Sequence, residues 1–396
     1  MKGKLTVLMI TAFVDMLGLA MIIPLLPFYA TKLGASATVV GVLIAAFSIA
    51  QLASAPLWGR FSDRYGRRPA LLVGLLVSAV AYVIFAYAST LWLLLLSRVV
   101  QGLGGGTIGV VQAYVADASD PKDRAKSLGW LSAATSFGAV VGPAIGSALI
   151  HWGRHAPGIA SAIFCVLISI FAGVYLRESR ESLSSGEHGV LAESGSGAVW
   201  SVISRPKEPA QRLIWIYAIA IGAFYGTAPT LPLILAHRLP ITEGNVGFFV
   251  MYLGGMGVFV RAGLLGRMIE WLGEARLTRL GLVLLAAGLA LIAAVHSYLT
   301  LLVALTLMSL GTAFAFPCVT AMLSRVVPTR NRGLYMGVQH TFGGVSRVLF
   351  PLAAGVAMDH LGLGFPFVIA GVLVLSTLLL TTSMEDYAAS RAPSMT

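Results

Sequence analysis

Asp15 is the ionisable side chain with the most unusual surroundings in this sequence. It lies in the stretch FVDMLGLAMIIPLLP, Phe13 to Pro27, and the nearest other charges are Lys4 and Lys32. A charged acid in a hydrocarbon environment costs roughly 2.5–3.5 kcal/mol, and burial favours its protonated form. We therefore expect Asp15 to bind and release a proton. The alternative is a structural aspartate that is bonded to the helix backbone or to an arginine.

Arg98 is a second charge in an apolar stretch, and no other charge follows it until Asp117. A buried guanidinium needs a carboxylate or several carbonyl oxygens as partners. Asp15 is the natural candidate, so we expect these two side chains to act together. A purely structural ion pair is the alternative.

Three further basic side chains, Arg261, His340 and Arg347, also lie in apolar stretches. His340 precedes Arg347 by two helical turns and shares a similar face. Together the three would give a cavity a positive lining that favours anionic or zwitterionic solutes. An alternative for Arg261 is that its side chain extends to the cytoplasmic membrane surface, because Arg267 follows it closely in the sequence.

The composition indicates that the elements carrying these residues are membrane helices. The chain has 396 residues, of which 57% are hydrophobic and 11% are charged, whereas soluble domains are about a quarter charged. Long apolar stretches predict twelve transmembrane helices, each near the roughly 20 residues that a bilayer requires. These spans, numbered 1 to 12, lie near 5–30, 37–58, 69–88, 91–116, 127–150, 157–176, 212–235, 245–265, 277–295, 298–323, 334–357 and 363–383. The first span is too long for a signal peptide, and we expect it to be retained.

The distribution of basic residues predicts the orientation. Most of the 27 lysines and arginines fall in segments that are cytoplasmic if both termini are inside, whereas Lys32, Arg154 and Arg238 fall outside. This asymmetry follows the positive-inside rule. The net charge of +11 therefore indicates contact with anionic lipids and not with nucleic acid. Tryptophans lie near the predicted helix ends, where aromatic belts form: Trp58, Trp92, Trp130, Trp152, Trp215 and Trp271.

The chain divides into two related halves. A polar stretch separates six spans from six, which predicts an N-terminal bundle (1–176), a cytoplasmic linker (177–210) and a C-terminal bundle (211–396). Proline motifs recur in spans 1 and 7, at Pro24 to Pro27 and at Pro229 to Pro232. The segment GRFSDRYGRRP follows span 2, and GRMIEWLGEAR follows span 8 with the same spacing of Gly-Arg, an acid and a second glycine. Internal similarity of this kind is typical of transporters built from repeats.

Four stretches resemble the major facilitator superfamily, and within it the twelve-helix drug/proton antiporters, including the tetracycline/proton exporters. They are GRFSDRYGRRP, SRVVQG at Ser97 to Gly102, GAVVGPAIGS at Gly138 to Ser147, and the acidic first span. The resemblance covers essentially the whole chain. It implies an all-α fold of two pseudo-symmetric six-helix bundles around a central cavity that opens alternately to either side. It also implies that Arg98 supports proton transfer.

The resemblance implies roles for two further groups of residues. The first is a cytoplasmic gate that latches the bundles, formed by Gly59, Asp63, Arg64, Gly66, Arg67 and Arg68 and, in the second half, by Gly266, Glu270 and Gly273. A plain basic loop is the alternative. Asp63 would pair with Arg67 or with a facing helix terminus, and Gly59 and Gly66 would allow close approach and a turn. The second group is the small-residue stripe of span 5, Gly138, Gly142, Pro143 and Gly146, which we expect to pack against a helix of the other half and seal the cavity. Generic close packing is the alternative there.

Uncharged candidates for the cavity wall are of two kinds. Four glutamines are possible polar lining residues: Gln51, Gln101, Gln112 and Gln339. Six apolar or aromatic residues are possible adaptable walls: Phe224, Tyr225, Tyr252, Met256, Phe314 and Phe316. Ordinary helix packing is the alternative for all ten. Span 9, Leu277 to Val295, lacks the acid expected of tetracycline exporters, which argues against tetracycline as the substrate.

These features predict a monomeric secondary transporter of the bacterial inner membrane that exports amphipathic drugs or similar small molecules in exchange for protons. The proton is the coupling ion, and no other cofactor or metal is expected. Alternatives are an exporter or symporter of a metabolite, sugar, siderophore or lysolipid. The sequence has no nucleophile–base constellation, metal-ligand cluster or nucleotide loop, and its two cysteines lie inside spans, so we do not expect an enzyme.

Overall fold

The computed structural model describes residues 2–120, 122–176, 195–382 and 384 of the chain, and these residues form helices and connecting turns with no strand. The α-helices are α1 (Lys2–Ile22), α2 (Leu26–Lys32), α3 (Ala37–Tyr65), α4 (Arg67–Ala86), α5 (Leu91–Gly105), α6 (Ile108–Asp117), α7 (Arg124–Leu149), α8 (Ala156–Tyr175), α9 (Gly195–Ser204), α10 (Pro209–Thr227), α11 (Leu231–Arg238), α12 (Val246–Gly263), α13 (Leu265–Ala293), α14 (Tyr298–Val326), α15 (Arg332–Leu361) and α16 (Phe365–Ser376). Short 3₁₀ turns occupy Ile150–Trp152, Ala228–Thr230, Thr329–Asn331 and Thr377–Thr381.

Within the described residues, eleven helical stretches are long and apolar enough to cross a membrane. The twelfth predicted span appears as the shorter apolar helix Phe365–Thr381. Its last five residues are a 3₁₀ turn, which rises faster per residue than an α-helix, so the segment reaches about 28 Å and nearly matches a hydrocarbon core of roughly 30 Å. The all-helical membrane architecture predicted from composition is therefore confirmed.

Three of the predicted spans are interrupted at residues that disfavour a helix. The first span breaks between α1 and α2 at Pro24, and the seventh breaks at the turn that contains Pro229. The fourth span breaks between α5 and α6, after a run of glycines that ends at Gly106. Proline lacks a backbone donor and glycine has low helix propensity, which explains these positions. Each of these three predicted spans therefore consists of two consecutive helices.

The two segments predicted as loops after spans 2 and 8 are largely helical. Helix α3 continues through the first of them to Tyr65, and the chain turns at Gly66, whose φ is 103°. Helix α13 already contains the second, and its course is broken at Gly273, whose φ is 75°. A positive φ is accessible at little cost only to glycine. The second glycine of each repeated motif is therefore the residue that makes the turn.

The chain forms two compact units. The first contains Met1–Glu187 and Pro240–Tyr252, and the second contains His188–Leu239 and Leu253–Thr396. Part of the predicted linker, residues 177–194, lies outside the described residues. The rest of it includes α9, whose Val202 is buried and accepts a hydrogen bond of 3.0 Å from Trp215 Nε1. The predicted domain boundaries stay predictions.

The same helix contacts recur inside each unit. In the first, α1 packs on α7 and α4 packs on α5 and α8; in the second, α10 packs on α15 and α13 packs on α14 and α16. A Cβ on Gly104 would lie 3.1 Å from the carbonyl oxygen of Gly74, and one on Gly311 would lie 2.7 Å from that of Gly281. Gly74 and Gly104 are the same number of residues apart as Gly281 and Gly311. The internal repeat inferred from sequence is thus also a repeat of close helix crossings.

Candidate functional site

A cavity of about 600 Å³ lies in the first unit and is lined by α1, α6 and α7, with Leu71 of α4. Its polar lining residues are Thr11, Asp15, Gln112, Ser132 and Thr135, and most of the remaining wall is aliphatic. Asp15 is the only ionisable side chain among the described lining residues. The structure thus places the two predicted candidates Asp15 and Gln112 in one chamber.

Asp15 has no hydrogen bond or ion pair with any other residue that the structure describes, although its side chain is mostly buried. Thr11 lies one turn earlier on the same face of α1, and its hydroxyl donates to the Val7 carbonyl oxygen at 2.8 Å. The carboxyl group therefore faces the cavity, and none of the described residues provides a donor or cation that would hold it ionised. An uncompensated carboxylate in a chamber of low polarity favours the protonated state unless water or a ligand compensates the charge.

The position of α1 is set by the glycine stripe of α7. A Cβ on Gly138 would lie 2.5 Å from the Phe13 carbonyl oxygen, and one on Gly146 would lie 2.3 Å from that of Met21. Gly142 meets the same helix at Ala20 and Leu17. The three glycines therefore pack against α1 of the same unit, and for them the expected contact with a helix of the other half was wrong. Helix α1 itself supplies the facing backbone, because glycines four residues apart form one continuous groove for it.

Pro143 lies on another side of α7 from this groove. A Cβ on Gly247, at the start of α12, would lie 1.8 Å from the Pro143 carbonyl oxygen, and the Gly247 amide donates to Ser147 Oγ at 2.9 Å. Gly247 lies in span 8 of the predicted C-terminal bundle, although its segment, Pro240–Tyr252, is part of the first unit of the structure. Pro143 is thus the member of the stripe that meets a helix of the other predicted half. Helix α7 thus has small-residue contacts on two sides.

Arg98 is buried, but its partner is not Asp15. Its Nη1 donates to Gln101 Oε1, one turn further along α5, and its guanidinium carbon lies 4.7 Å from the centre of the Phe47 ring. Arg98 Nε has no hydrogen-bond partner among the described residues. The expected ion pair with Asp15 is absent from this structure, and the acceptor that the guanidinium has instead lies one turn away in the same helix.

Tyr82 of α4 connects this arginine to α1, and sequence reasoning did not single it out. The Tyr82 side chain is fully buried and interacts with that of Gln101. Its ring and hydroxyl lie 3.3–3.5 Å from the point where a Cβ of Gly18 would be. Gly18 follows Asp15 by three residues, on the same side of α1. A lone tyrosine in an apolar helix gives no sequence signal beyond ordinary packing.

The segment from Gly59 to Arg68, predicted to be part of a gate, contains the Asp63–Arg67 pair that the sequence predicted. Arg67 Nη1 bonds Asp63 Oδ1 at 2.9 Å, while Arg67 Nε bonds Asp117 Oδ2 at 3.1 Å. The neighbouring Arg68 donates to the Gly173 carbonyl oxygen, and Arg64 lies over the Tyr65 ring. The ion pairs link the ends of α3 and α6 to the start of α4.

Gly59 differs from the expectation of close approach, and its counterpart Gly266 is equally uncrowded. A Cβ at either position would meet nothing within 4 Å. Each lies within a helix, where a side chain would point into open space. The structure shows no close approach at these two glycines, and the turn depends on Gly66 and Gly273 alone.

The second unit contains a counterpart of the Arg67–Asp117 pair with the charges exchanged. Glu274, the residue after the turn glycine of α13, is paired with Arg325 near the end of α14. Glu270, the predicted acid of this motif, is exposed. Asp117, Glu274 and Arg325 were missed as site residues. The register of the repeat was the available signal, because Arg67 and Glu274 each follow their turn glycine directly.

Five of the aromatic and basic candidates form, together with Tyr217, one chain of contacts across α10, α14 and α15 of the second unit. His340 meets Tyr217 at 6.5 Å, Tyr217 meets Phe316 at 5.9 Å, Phe316 meets Phe224 at 6.4 Å, and Phe224 meets Tyr225 at 5.2 Å between ring centres. The Arg347 guanidinium carbon completes it, 5.9 Å from the Tyr225 ring centre. Five predicted candidates are therefore brought together, and Tyr217, which sequence reasoning did not single out, connects His340 to Phe316.

The remaining candidates are placed in packing or hydrogen-bonding roles. Gln51 donates to the Gly105 carbonyl oxygen at 3.1 Å, and buried Gln339 bonds Thr320. Phe314 belongs to a core cluster of the second unit, and Met256 packs against that cluster. For these residues the structure favours the packing interpretation. Two candidates lie on α12: Tyr252 is partly buried, and Arg261 is exposed with its Nε bonded to the Gly257 carbonyl oxygen at 3.1 Å.

Comparison with known proteins agrees with this architecture. The chain is 29% identical to Multidrug resistance protein 1 of Bacillus subtilis, over 96% of each chain. It is 26% identical to the class B tetracycline resistance protein of Escherichia coli, over 97% of this chain and 98% of that protein. Among solved structures, a bacterial homologue of the human lysosomal transporter Spinster matches with a TM-score of 0.79 at 13% identity, over 97% of this chain and 96% of that chain.

A family model matches nearly the whole sequence. The model described as Major Facilitator Superfamily aligns with residues 8–286 and 213–395. The likeness to the solved structure establishes the fold, and the family match covers both repeats. The chain is an integral membrane protein and belongs to the Major Facilitator Superfamily.

Proposed function

We propose that this chain is a secondary transporter that exports amphipathic drugs or similar small molecules in exchange for protons. It would act as a monomer in the bacterial inner membrane, with both termini in the cytoplasm. The proton is the coupling ion, and no other cofactor takes part. The printed names of the relatives from Bacillus subtilis and Escherichia coli, which concern multidrug and tetracycline resistance, support export of drugs as the general activity.

The observation that carries the proposal is the isolated carboxyl group of Asp15. It is the single ionisable lining residue described in the cavity of the first unit, and no described residue is bonded to it. Such a group changes its charge when the cavity changes from one aqueous side to the other. A solute that enters the cavity displaces water from around Asp15 and thereby alters its affinity for a proton. Solute and proton are then coupled through one site.

The alternating cycle follows from this coupling. A proton that binds Asp15 from the outer side would allow the empty carrier to return to the state that faces the cytoplasm. Release of this proton to the cytoplasm would leave the cavity ready to bind solute. Inward proton movement would therefore drive solute outward. The lack of an acid in span 9, Leu277 to Val295, still argues against tetracycline itself as the solute.

The substitution Asp15→Asn tests the proposal, because asparagine has a similar size and cannot exchange a proton. Purified protein is placed in liposomes, and transport of ethidium and of naphthalene sulfonate is followed separately under an imposed pH gradient. Wild-type protein is expected to accumulate at least one probe against its gradient, and Asp15→Asn is expected to lose this accumulation.

Exchange of labelled for unlabelled probe at equal pH provides the control for folding. Asp15→Asn should retain this exchange, because exchange needs the cavity and the moving helices but no net proton transfer. Uphill accumulation by Asp15→Asn at the wild-type rate would refute the role of Asp15.

A further inference from the structure

Arg347 lies near the middle of α15, far from either end of a membrane-spanning helix. Its side chain is only partly buried. An arginine that faced lipid at this depth would cost roughly 2.5–3.5 kcal/mol or more. The face of α15 that carries Arg347 must therefore meet water or a polar ligand at some stage of the cycle.

The guanidinium of Arg347 is incompletely satisfied by the protein. Its Nε donates to the Gly343 carbonyl oxygen at 3.3 Å, and its guanidinium carbon lies over the Tyr225 ring, 5.9 Å from the ring centre. No carboxylate of the described residues forms an ion pair with it, whereas Arg325 and Arg205 of the same unit are paired with Glu274 and Glu208. The Nη groups retain donors in the planar arrangement that suits a carboxylate, sulfonate or phosphate.

The surroundings of Arg347 supply an aromatic surface next to this cation. Arg347 contacts Tyr225, and the ring of Tyr225 contacts that of Phe224. The surface then runs from Phe224 through Phe316 and Tyr217 to His340. His340 and Arg347 are seven residues apart on one helix, a distance of about 10.5 Å along the axis. This length matches two or three fused or linked aromatic rings, whose edges and faces pack well against aromatic side chains.

We propose that this surface of the second unit binds the ring system and the acidic group of an aromatic anion, with Arg347 as the residue that recognises the negative charge. The inference rests on the proposed function, and it names the substrate class: aromatic carboxylates, sulfonates or phosphates. A cation is disfavoured here because Arg347 repels it and no acidic side chain of the described residues is paired with that arginine. Arg347 also lies within electrostatic range of Tyr217 and His340, so its charge affects the whole surface.

Binding of four matched compounds to the detergent-purified full chain tests the proposal by calorimetry. Naphthalene sulfonate has both the rings and the charge, naphthalene sulfonamide has rings but no charge, and naphthyl trimethylammonium has rings and a positive charge. Methanesulfonate has the charge without rings. We expect naphthalene sulfonate to bind about tenfold or more tightly than each of the other three, which corresponds to at least about 1.4 kcal/mol.

Variants assign the preference to Arg347. In Arg347→Gln the sulfonate should bind no more tightly than the sulfonamide, while binding of the sulfonamide itself is unchanged. Arg347→Lys keeps the charge and should retain part of the preference. Arg205→Gln is the matched control, because it removes an exposed arginine of the same unit, and it should bind all four compounds as the wild type does.

Two results would overturn the inference: equal affinity of wild-type protein for sulfonate and sulfonamide, or an undiminished preference in a folded Arg347→Gln variant. The comparison of sulfonate with sulfonamide on wild-type protein uses no variant, so its result does not depend on whether Arg347→Gln folds.

The transport assay separates this inference from the proposed function. Proton-driven transport without an anion preference would refute only the aromatic-anion assignment. An anion preference in a protein whose transport ignores the pH gradient would refute proton coupling and leave the binding assignment standing.

Discussion

At the scale of single residues, Arg98 and Asp15 show two different ways of keeping an ionisable group inside a membrane protein. Arg98 remains charged and uses an amide oxygen and an aromatic face as partners. Asp15 has no such partner among the described residues and faces a cavity. The partners of Arg98 hold its positive charge in one position, whereas the carboxyl group of Asp15 can change between its protonated and ionised forms. Only this second arrangement is suited to carry a proton between two aqueous compartments.

The amide of Gln101 is expected to be essential for accommodating Arg98. Gln101→Leu removes the only acceptor that the structure shows for the guanidinium, so the free energy of unfolding in detergent should fall by about 1–3 kcal/mol. The double variant Arg98→Met with Gln101→Leu should be less destabilised than Gln101→Leu alone, since it removes the charge as well as its partner. Unfolding titrations of the four proteins measure both effects. A double variant that is at least as unstable as the sum of its parts would contradict this account.

At this scale the sequence predicted which residues are exceptional better than it predicted their partners. Asp15 stood out because no other charge is near it in the sequence, and the structure places it in a cavity. The partner of Arg98 was assigned wrongly, because a glutamine one turn away in the same helix is a common and uninformative residue type. Tyr82 gave no signal, because its contacts with Gly18 of α1 and Gln101 of α5 exist only in the folded structure.

At the scale of helices, the glycines of α7 determine where α1 can lie. The four-residue spacing predicted close packing correctly, since such a stripe has no side chains to hold another backbone away. It did not predict which helix fills the groove, because spacing describes one surface and not its complement. The prolines of the first and seventh spans were equally visible in sequence, and both spans break there.

Gly138→Ala is expected to disturb the position of Asp15 from outside the cavity. The added methyl group would lie 2.5 Å from the Phe13 carbonyl oxygen, so α1 must shift, at a cost of about 1–3 kcal/mol in stability. Proton-driven transport should fall with it. Gly129→Ala on the same helix meets nothing within 4 Å, and it should be neutral or stabilising by up to about 1 kcal/mol. Equal thermal stability and transport in the two variants would show that the stripe does not position α1.

At the scale of the whole molecule, each unit repeats the same scheme of helix crossings, turn glycines and terminal ion pairs. Gly66 and Gly273 make equivalent turns, and the residue after each carries an ion pair to the end of a later helix. The exchange of charge between Arg67–Asp117 and Glu274–Arg325 shows that the pairing is retained while its polarity is not. Hydropathy predicted the number of spans, but it could not predict that a loop motif continues as helix, because polar residues at a helix end resemble those of a loop.

The orientation inferred from basic residues makes a prediction for the entire chain. The native cysteines, Cys165 and Cys318, are buried, so background labelling by an impermeant maleimide should be low. Ser89→Cys, in the turn between α4 and α5, should react in intact cells. Lys122→Cys, before α7, should react only after permeabilisation. The reverse pattern would place both termini outside and contradict the positive-inside assignment.

The most direct test of the central claim is the direction of proton movement driven by solute alone. Liposomes containing the wild-type protein and an internal pH dye receive a gradient of ethidium or of naphthalene sulfonate at equal pH, with the membrane potential clamped. The account predicts that downhill entry of the transported probe makes the interior alkaline, because protons leave in exchange, and that Asp15→Asn abolishes this change. Solute entry through the wild-type protein with no pH change, or with acidification of the interior, would contradict it.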